Sequence, residues 1–437
     1  MKKKEQRLTK SPNNAREQPD NVDKKREEFN LPDVSSADDS DFDGLSQRFG
    51  APEQNEYYAK VSGRYRTAKL LLTALLVLVI VTAIVFASDS VTYANLKYLM
   101  RNLGDASASD TVRASVIPIE ADGKIACGFF SGRFAVAGES AVVLRRIGGK
   151  QVYRETLTST MPVLTLGKKY FLVWTCGENT YTVFNSVAAV KSGKLDTPIY
   201  AAATADDGSY ALLTATAEYR SVVELYDADF SLRAAYRKSE GYVSAISLSA
   251  DASRLALFSF RTENGAYTSC LDVYLTEKAD LLLSVSFADG VPLACGFFSD
   301  GSFWCFSEKS LRIYGADGSL AACHLMPGEV RRIAADESFA AVLCHADGAD
   351  RRTYILAYKA DGSACAEALL TGSYDSLVLC GSGAAVLGEE LTLLSFEDGG
   401  RKTAERKTGA VGLAADGSCV YCIYGDRAEL VFGETDS

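Results

Sequence analysis

The sequence predicts an all-β domain, a β-propeller of eight blades with seven as the alternative, behind one transmembrane helix and a disordered N-terminal tail. Three observations predict this arrangement. A unit of short strands and Gly/Asp turns recurs between residues 112 and 437. The unit repeats at about the 40–45 residues that one propeller blade occupies. Before the repeats, the 19 residues from Leu70 to Ser88 carry no charge.

Residues 1–69 form the first predicted region, a disordered cytoplasmic tail. The tail is rich in Lys, Arg, Glu, Asp, Asn, Ser and Gln and has few large apolar side chains. Such a composition buries too little apolar surface to offset the entropy of the chain.

Residues 70–88 form the predicted transmembrane helix. A helix of this length spans about 28 Å, close to the thickness of the bilayer hydrocarbon. Thr73 and Thr82 are tolerated in such a helix because their hydroxyls can bond back to helix carbonyls. A signal peptide has a shorter apolar stretch and does not follow 69 residues of chain.

The flanking charges predict the orientation of this helix. The topology-determining cations are Lys60, Arg64, Arg66 and Lys69. Positive charge is retained on the cytoplasmic side of a membrane. We therefore expect a single-pass protein of the cell membrane, with a cytoplasmic N-terminus and everything after Ser88 extracytoplasmic.

Residues 89–111 are predicted to form a helical neck and a hinge. Apolar residues of Val91–Leu103 recur at spacings of three and four, which is typical of one apolar helix face. The polar segment Asp105–Asp110 follows as the hinge. The extracytoplasmic domain then occupies residues 112–437.

Repeats run through this domain. The clearest copies are Ile125–Val136, Ala205–Leu213, Ser249–Leu257, Leu293–Phe306 and Ala414–Cys422. The residues that precede the predicted inner strand of each unit are Gly132, Lys168, Ser209, Ser253, Ser302, Ser338, Gly383 and Ser418, at intervals of 35 to 49 residues. The last unit is one strand short, and Val112–Ile119 is predicted to supply that strand and close the ring. A sandwich, the competing β fold, would not produce so regular a unit.

The tail, the single helix, the neck segment Tyr93–Leu103 and the Gly/Asp-punctuated repeats together resemble an uncharacterised family of Gram-positive bacteria. Its members are similar to membrane-anchored β-propellers and form a domain of unknown function. The resemblance covers the chain from Leu70 onward and implies no active residues. The repeats are also distantly similar to WD40 and quinoprotein blades. They lack the GlyHis and TrpAsp dipeptides of the first and the tryptophan docking motif of the second.

Composition excludes several classes of function. Asp plus Glu number 56 against 46 Lys plus Arg, a net charge of −10, which argues against nucleic acid as a partner. The two histidines, His324 and His345, are interpreted as structural or surface residues. Cys419 and Cys422 form a CxxC motif, but residues three apart on a strand face opposite sides. We therefore predict no catalytic residue, no metal site and no cofactor.

Two functional hypotheses follow. The favoured one is a membrane-anchored extracytoplasmic propeller that binds, scaffolds or senses in the cell envelope, with an envelope protein or a cell-wall ligand as partner. The alternative is a propeller enzyme of glycosidase or lyase type, which would use paired carboxylates at the channel mouth. Two carboxylates roughly 5–10 Å apart in a deep channel with aromatic platforms would favour the enzyme. A filled channel with an exposed apolar loop patch would favour the binding module. The oligomeric state is left open.

Overall fold

The structure is a computed structural model that describes residues 65, 67–80, 113–346 and 352–433. Residues 67–80 form helix α1, and Thr73 Oγ1 donates a hydrogen bond to the carbonyl of Lys69 at 2.7 Å. This confirms the predicted back-bonding of Thr73. No described helix combines the length and the apolar character required for crossing a bilayer. Residues 1–64, the neck at 89–111 and residues 81–88 of the predicted span lie outside the described residues.

Residues 113–346 and 352–433 form eight antiparallel four-stranded sheets, which are the eight blades of a propeller. Seven sheets use four consecutive strands in simple up-and-down order, so each blade is one meander. The prediction of eight blades is confirmed and the alternative of seven is wrong.

The strand bounds follow the chain in order. Blade 1 contains β2 (Ala126–Phe130), β3 (Arg133–Ala137), β4 (Ala141–Arg146) and β5 (Gln151–Thr156). Blade 2 contains β6 (Pro162–Leu166), β7 (Phe171–Thr175), β8 (Thr180–Phe184) and β9 (Ala189–Lys194). Blade 3 contains β10 (Ala201–Thr204), β11 (Tyr210–Thr214), β12 (Ser221–Tyr226) and β13 (Leu232–Lys238). Blade 4 contains β14 (Tyr242–Leu248), β15 (Arg254–Glu263), β16 (Ala266–Leu275) and β17 (Asp280–Phe287).

The second half of the ring follows the same plan. Blade 5 contains β18 (Pro292–Phe297), β19 (Phe303–Ser307), β20 (Ser310–Tyr314) and β21 (Leu320–Leu325). Blade 6 contains β22 (Gly328–Ala335), β23 (Phe339–Ala346), β24 (Arg352–Lys359) and β25 (Ala364–Thr371). Blade 7 contains β26 (Ser376–Cys380), β27 (Gly383–Leu387), β28 (Glu390–Ser395) and β29 (Arg401–Glu405). Blade 8 contains β30 (Gly412–Asp416), β31 (Cys419–Ile423), β32 (Arg427–Phe432) and, from the start of the domain, β1 (Val116–Pro118).

Strand β1 closes the ring. It pairs antiparallel with β32, and Ile117 lies opposite Ala428 with both side chains fully buried. Arg113 Nη1 adds an ion pair with Asp416 Oδ2 at 2.7 Å. The predicted closure by Val112–Ile119 is thus confirmed, because strands from the two ends of the described propeller share one sheet and give blade 8 four strands.

The repeat in the sequence follows the second strand of each blade. Six of the aligned residues immediately precede that strand, as Ser302 precedes β19. Lys168 lies three residues before β7, and Gly383 is itself the first residue of β27. The aligned strand is therefore the second of each sheet, and its prediction as the inner strand is wrong. The first strand of each blade is the one that lines the central channel.

Alternating strand directions give the propeller two faces. On the turn face lie the loops from the first to the second strand and from the third to the fourth strand of each blade. On the hairpin face lie the loops from the second to the third strand and the connections between blades. Each core cluster joins side chains of neighbouring blades; Phe258 of β15, for example, packs with Phe303 of β19.

The turn face is built from a repeated Asp-x-Ser turn. The Asp300 carboxylate accepts hydrogen bonds from the Ser302 N–H at 2.9 Å and from its hydroxyl at 2.5 Å. The same pair of bonds recurs from Asp317 to Ser319 and from Asp361 to Ser363. The serine bonds stabilise the ionised carboxylate and lower the pKa of Asp317 and Asp361. These turns satisfy their own polar groups and explain the Asp-Gly-Ser signature of the sequence.

Candidate functional site

Blade 4 departs from the other blades on the hairpin face. Strands β15 and β16 contain ten residues each, whereas the second strands of the other blades contain five or eight. They pair without a break from Arg254–Leu275 to Glu263–Ala266 and end in a tight turn at Asn264 (φ 51°) and Gly265 (φ 81°). Both turn residues have positive φ, which Asn and Gly adopt most readily. The extra residues extend the hairpin and carry Phe260 and the exposed Tyr267.

A groove lies between this hairpin and blade 3. A cavity of about 420 Å³ is lined by residues that include Arg220, Tyr242 and Arg261. A second cavity of about 350 Å³ shares Glu240, Gly241, Phe260 and Arg261 with the first. The two cavities together are the blade 3–4 groove, defined by Arg220, Arg237, Lys238, Glu240, Tyr242, Phe260, Arg261 and Asp272.

Aromatic rings and arginines form one wall of the groove. The guanidinium of Arg220 lies over the Tyr242 ring at 5.1 Å from its centroid. Tyr242 and Phe260 are 5.9 Å apart between centroids, and Phe260 and Tyr267 are also 5.9 Å apart. Arg237 lies 5.9 Å over the ring of Tyr219 at the same edge. Ring contacts of this kind hold the arginine side chains in place while their N–H groups face a ligand.

A buried ion pair forms the base of the groove. Lys238 of blade 3 pairs with Asp272 of blade 4, whose side chain is 8% exposed. Lys238 Nζ also donates to Ser259 Oγ at 2.9 Å, and Ser284 Oγ donates to Asp272 Oδ1 at 2.6 Å. Each buried charge therefore has a charged partner and a hydroxyl partner, which fixes the two blades against each other at this point.

The hairpin face also exposes apolar side chains around the channel. Five blades expose an apolar side chain at the start of the inner strand: Met161, Tyr200 and Val411 directly precede their strands, Tyr242 is the first residue of its strand and Leu293 is the second. Tyr242 belongs to this set and to the blade 3–4 groove. The groove is therefore continuous with an apolar rim, a pattern typical of interaction surfaces.

Carboxylates do meet in the channel, but on the turn face. A cavity of about 290 Å³ is lined there by Asp206, Asp336 and Glu337. Lys168 of blade 2 pairs with Asp206 at 2.9 Å and, across the channel, with Glu337 of blade 6. The hydrogen bonds that Lys168 donates to Asp206 and Glu337 raise its pKa. One lysine therefore compensates both carboxylates, and neither of them is left free to act as an acid beside a substrate.

The structure describes one of the four topology-determining residues. Lys69 lies in α1, where its carbonyl accepts the bond from Thr73. Lys60, Arg64 and Arg66 lie outside the described residues.

Both histidines have structural partners, as the sequence predicts. His324 Nε2 bonds to the carbonyl of Gly362 at 2.8 Å, and its ring lies 4.3 Å from that of Tyr358. His345 Nε2 bonds to the carbonyl of Tyr374 at 3.2 Å, and its Nδ1 accepts a bond from Arg331. These bonds use both nitrogens of His345, so that its ring is fixed between blades 6 and 7.

The CxxC cysteines are separated as predicted. Cys419 packs with Tyr421 in the core against blade 1, whereas Cys422 packs with Leu387 of blade 7. All eleven cysteines are free thiols. Among the residues that the structure describes, no group of three or more His, Cys, Asp or Glu side chains is placed to hold a metal ion.

Two features of the sequence indicate the extended hairpin that walls the blade 3–4 groove, although the regular repeats make them hard to notice. The interval from Ser253 to Ser302 is 49 residues, the longest between aligned positions. AsnGly at Asn264–Gly265 is the strongest short hairpin signal. The extra length and the AsnGly turn together indicate an extended hairpin in blade 4.

Comparisons with known proteins give a family match for the domain and solved structures that are similar to it. Residues 114–411 match a family described as "Family of unknown function (DUF5711)". No curated protein matches the sequence. Among solved structures, BamB from Moraxella catarrhalis is 14% identical with a TM-score of 0.49, over 74% of this chain and 98% of that chain.

Two further solved structures are similar. KlHsv2, with loop 6CD replaced by a Gly-Ser linker, is 11% identical with a TM-score of 0.44, over 62% of this chain and 93% of that chain. The WD40 domain of Neurospora crassa Pan2 is 8% identical with a TM-score of 0.43, over 62% of this chain and 89% of that chain.

Proposed function

The chain belongs to the DUF5711 family of unknown function, and we propose that it is a membrane-anchored binding module of the cell envelope. In this proposal the propeller is extracytoplasmic and recognises an envelope protein through the blade 3–4 groove. The single observation that carries the proposal is the extended β15–β16 hairpin, which walls a groove lined by Arg220, Arg261 and the exposed Tyr242.

The chemistry of the groove favours a protein partner. Tyr and Arg are the residue types that most often dominate the energy of protein interfaces. Arg220 stacks on Tyr242, so its side chain loses little freedom when a carboxylate of the partner binds it. The domain as a whole is acidic, whereas Arg220 and Arg237 bring positive charge to the groove, where an acidic segment of the partner would bind.

The membrane anchor is supported by the apolar helix. Within the described residues, α1 exposes Leu70, Leu71, Leu72 and Leu75. Apolar helix surface of this kind is stable in lipid. The cations at 60, 64, 66 and 69 favour a cytoplasmic N-terminus and an exported propeller. An anchored module gains effective concentration toward other envelope components and does not need high affinity.

A propeller enzyme is not favoured by the channel. Paired carboxylates in a glycosidase require one protonated acid and one anion flanking the bond that breaks. In this channel, Asp206 and Glu337 bind the same ammonium of Lys168 instead.

The proposal is tested by affinity purification of the tagged full chain from detergent-solubilised native membranes. The groove variant combines Arg220→Ala with Tyr242→Ala. Its matched control combines Lys278→Ala with Leu281→Ala, two exposed side chains of the same blade 4 on the turn face. We expect a discrete protein that the wild type and the control recover and the groove variant loses. Equal recovery by all three forms would refute the groove as the binding site, and a recovered glycan would replace the protein partner.

A further inference from the structure

Two cysteines lie directly opposite each other on the first two strands of blade 5. Cys295 of β18 pairs with Cys305 of β19 in the antiparallel register. Residues directly opposite in a sheet project from the same side. Both thiols accordingly pack in one cluster with Phe258 and Leu271 of blade 4.

The backbone hydrogen bonds show which kind of pair the cysteines form. Phe298 N–H donates to the carbonyl of Ser302 at 2.9 Å, which makes 298 and 302 a hydrogen-bonded pair. Such pairs alternate with non-hydrogen-bonded ones, and the register does not shift between Ala294 and Phe297. Cys295 and Cys305 are three positions further along and are therefore a non-hydrogen-bonded pair.

Non-hydrogen-bonded pairs are the closer of the two kinds. Their Cα atoms are about 4.5 Å apart, inside the span of about 4.4 to 6.8 Å that a disulfide bridges. Rotation about the two Cα–Cβ bonds is the main adjustment required, because the backbone already holds the two residues side by side.

We propose that Cys295 and Cys305 are a disulfide site, oxidised by exchange with an organic disulfide. The thiolate of one cysteine attacks the organic disulfide, forming a mixed disulfide and releasing one thiolate. The second cysteine, as thiolate, attacks the protein sulfur of the mixed disulfide. The Cys295–Cys305 bond forms, the second small thiolate leaves, and the two protons of the protein thiols end on the two released thiols.

Burial determines when this exchange occurs. Burial raises the pKa of the Cys295 thiol to about 12 and raises that of Cys305 as well. Few thiolates are therefore present in the folded domain, and the cluster excludes an oxidant. The bond forms while the chain folds, before blades 4 and 5 close over the two sulfurs. This proposal does not depend on the blade 3–4 groove.

The CxxC motif supplies an internal control. Cys419 and Cys422 are closer in sequence, but they lie in different core clusters on opposite sides of β31. Trypsin releases Cys295 and Cys305 together in the peptide Ala279–Lys309, and Cys419 and Cys422 together in Thr408–Arg427. One digest therefore reports both pairs.

The experiment refolds the urea-unfolded full chain in detergent with a buffer of reduced and oxidised glutathione, followed by alkylation, trypsin and mass spectrometry without reduction. We expect Ala279–Lys309 to be unalkylated and lighter by two hydrogens than its dithiol form. Thr408–Arg427 should carry two alkyl groups. Protein that has folded with its thiols reduced, and is then given oxidised glutathione without unfolding, should show no bond.

Two results would overturn the proposal. One is two alkyl groups on Ala279–Lys309 after refolding, and the other is a bond from Cys305 to a different cysteine, such as Cys323. The variant Cys295→Ala, which keeps Cys305 in place, should lose the oxidised peptide and any rise in the urea midpoint that oxidation gives the wild type. A rise that persists in this variant would contradict the assignment.

Discussion

The turn face and the hairpin face are made by the same 32 strands, yet they use their polar groups differently. On the turn face, one Asp-x-Ser arrangement recurs, and its carboxylates are occupied by serines or by Lys168. On the hairpin face, the connections differ from blade to blade. Arg220 before β12, Tyr242 at the start of β14 and Tyr267 on the extended β15–β16 hairpin are all exposed there.

The difference between the two faces distinguishes residues that stabilise the blades from residues that we propose bind a partner. The polar groups of the repeated turns form hydrogen bonds within the turns themselves, so these residues stabilise the fold of each blade. The groove depends on features found in blades 3 and 4 alone. Departure from the repeat is therefore the better guide to the proposed binding site in this propeller.

The greatest loss of stability is expected when the strand that closes the ring is removed. Deleting residues 112–119 removes β1, leaving β32 with an unpaired edge and blade 8 with three strands. We expect loss of cooperative unfolding, and aggregation, measured by circular dichroism and size-exclusion chromatography.

The matched deletion shortens the hairpin instead. Removing Thr262, Glu263, Ala266 and Tyr267 places the AsnGly turn on the existing pair Arg261–Thr268. This form should stay monodisperse and unfold cooperatively while it loses partner binding. Equal damage from both deletions would mean that the extended hairpin is part of the folding core.

A smaller effect is expected from the ion pair under the groove. Asp272→Ala leaves Lys238 partly buried without its counter-charge, which costs about 3–5 kcal/mol of unfolding free energy. Glu263→Ala breaks the exposed pair with Arg261 and should cost about 0–1 kcal/mol. Urea unfolding of the two variants measures the difference, and similar losses would contradict the burial of the Lys238–Asp272 pair.

The smallest effect concerns a single turn and its dependence on pH. Burial raises the pKa of Asp251, but hydrogen bonds from Ser249 and Ser253 outweigh it and lower the pKa below its usual value. The stabilisation is therefore present above about pH 4 and is lost as the pH falls through the lowered pKa. Asp251→Asn should lower the thermal midpoint at pH 7 and approach the wild type at acid pH. A constant gap between the two proteins at all pH values would contradict this linkage.

The blades could be predicted from sequence because each Asp-x-Ser turn is local. Two residues apart, Asp300 and Ser302 specify their own turn, and the strand that follows begins at the next residue. Closure by β1 was also predictable, since the last unit lacked one strand. The long interval between Ser253 and Ser302 also indicated that blade 4 contains extra residues.

The groove could not be predicted because its parts are distant in sequence and belong to two blades. Lys238 meets Asp272 across 34 positions, and Arg220 meets Tyr242 across a whole outer strand. No motif links such residues before the ring is assembled. The pairing of Cys295 with Cys305 likewise depends on the register of β18 with β19, which the sequence repeat alone does not specify.

Site-specific photocrosslinking is the most direct test of whether a partner binds at the blade 3–4 groove. A photoreactive phenylalanine analogue replaces Tyr267 on the hairpin or, as control, Leu281 on the turn face of the same blade; the natural side chains are 54% and 52% exposed. Both full-length forms are irradiated in intact cells. The account predicts a discrete crosslinked protein at position 267 and none at position 281. The same product at both positions, or a product at 281 alone, would contradict a binding site in the blade 3–4 groove.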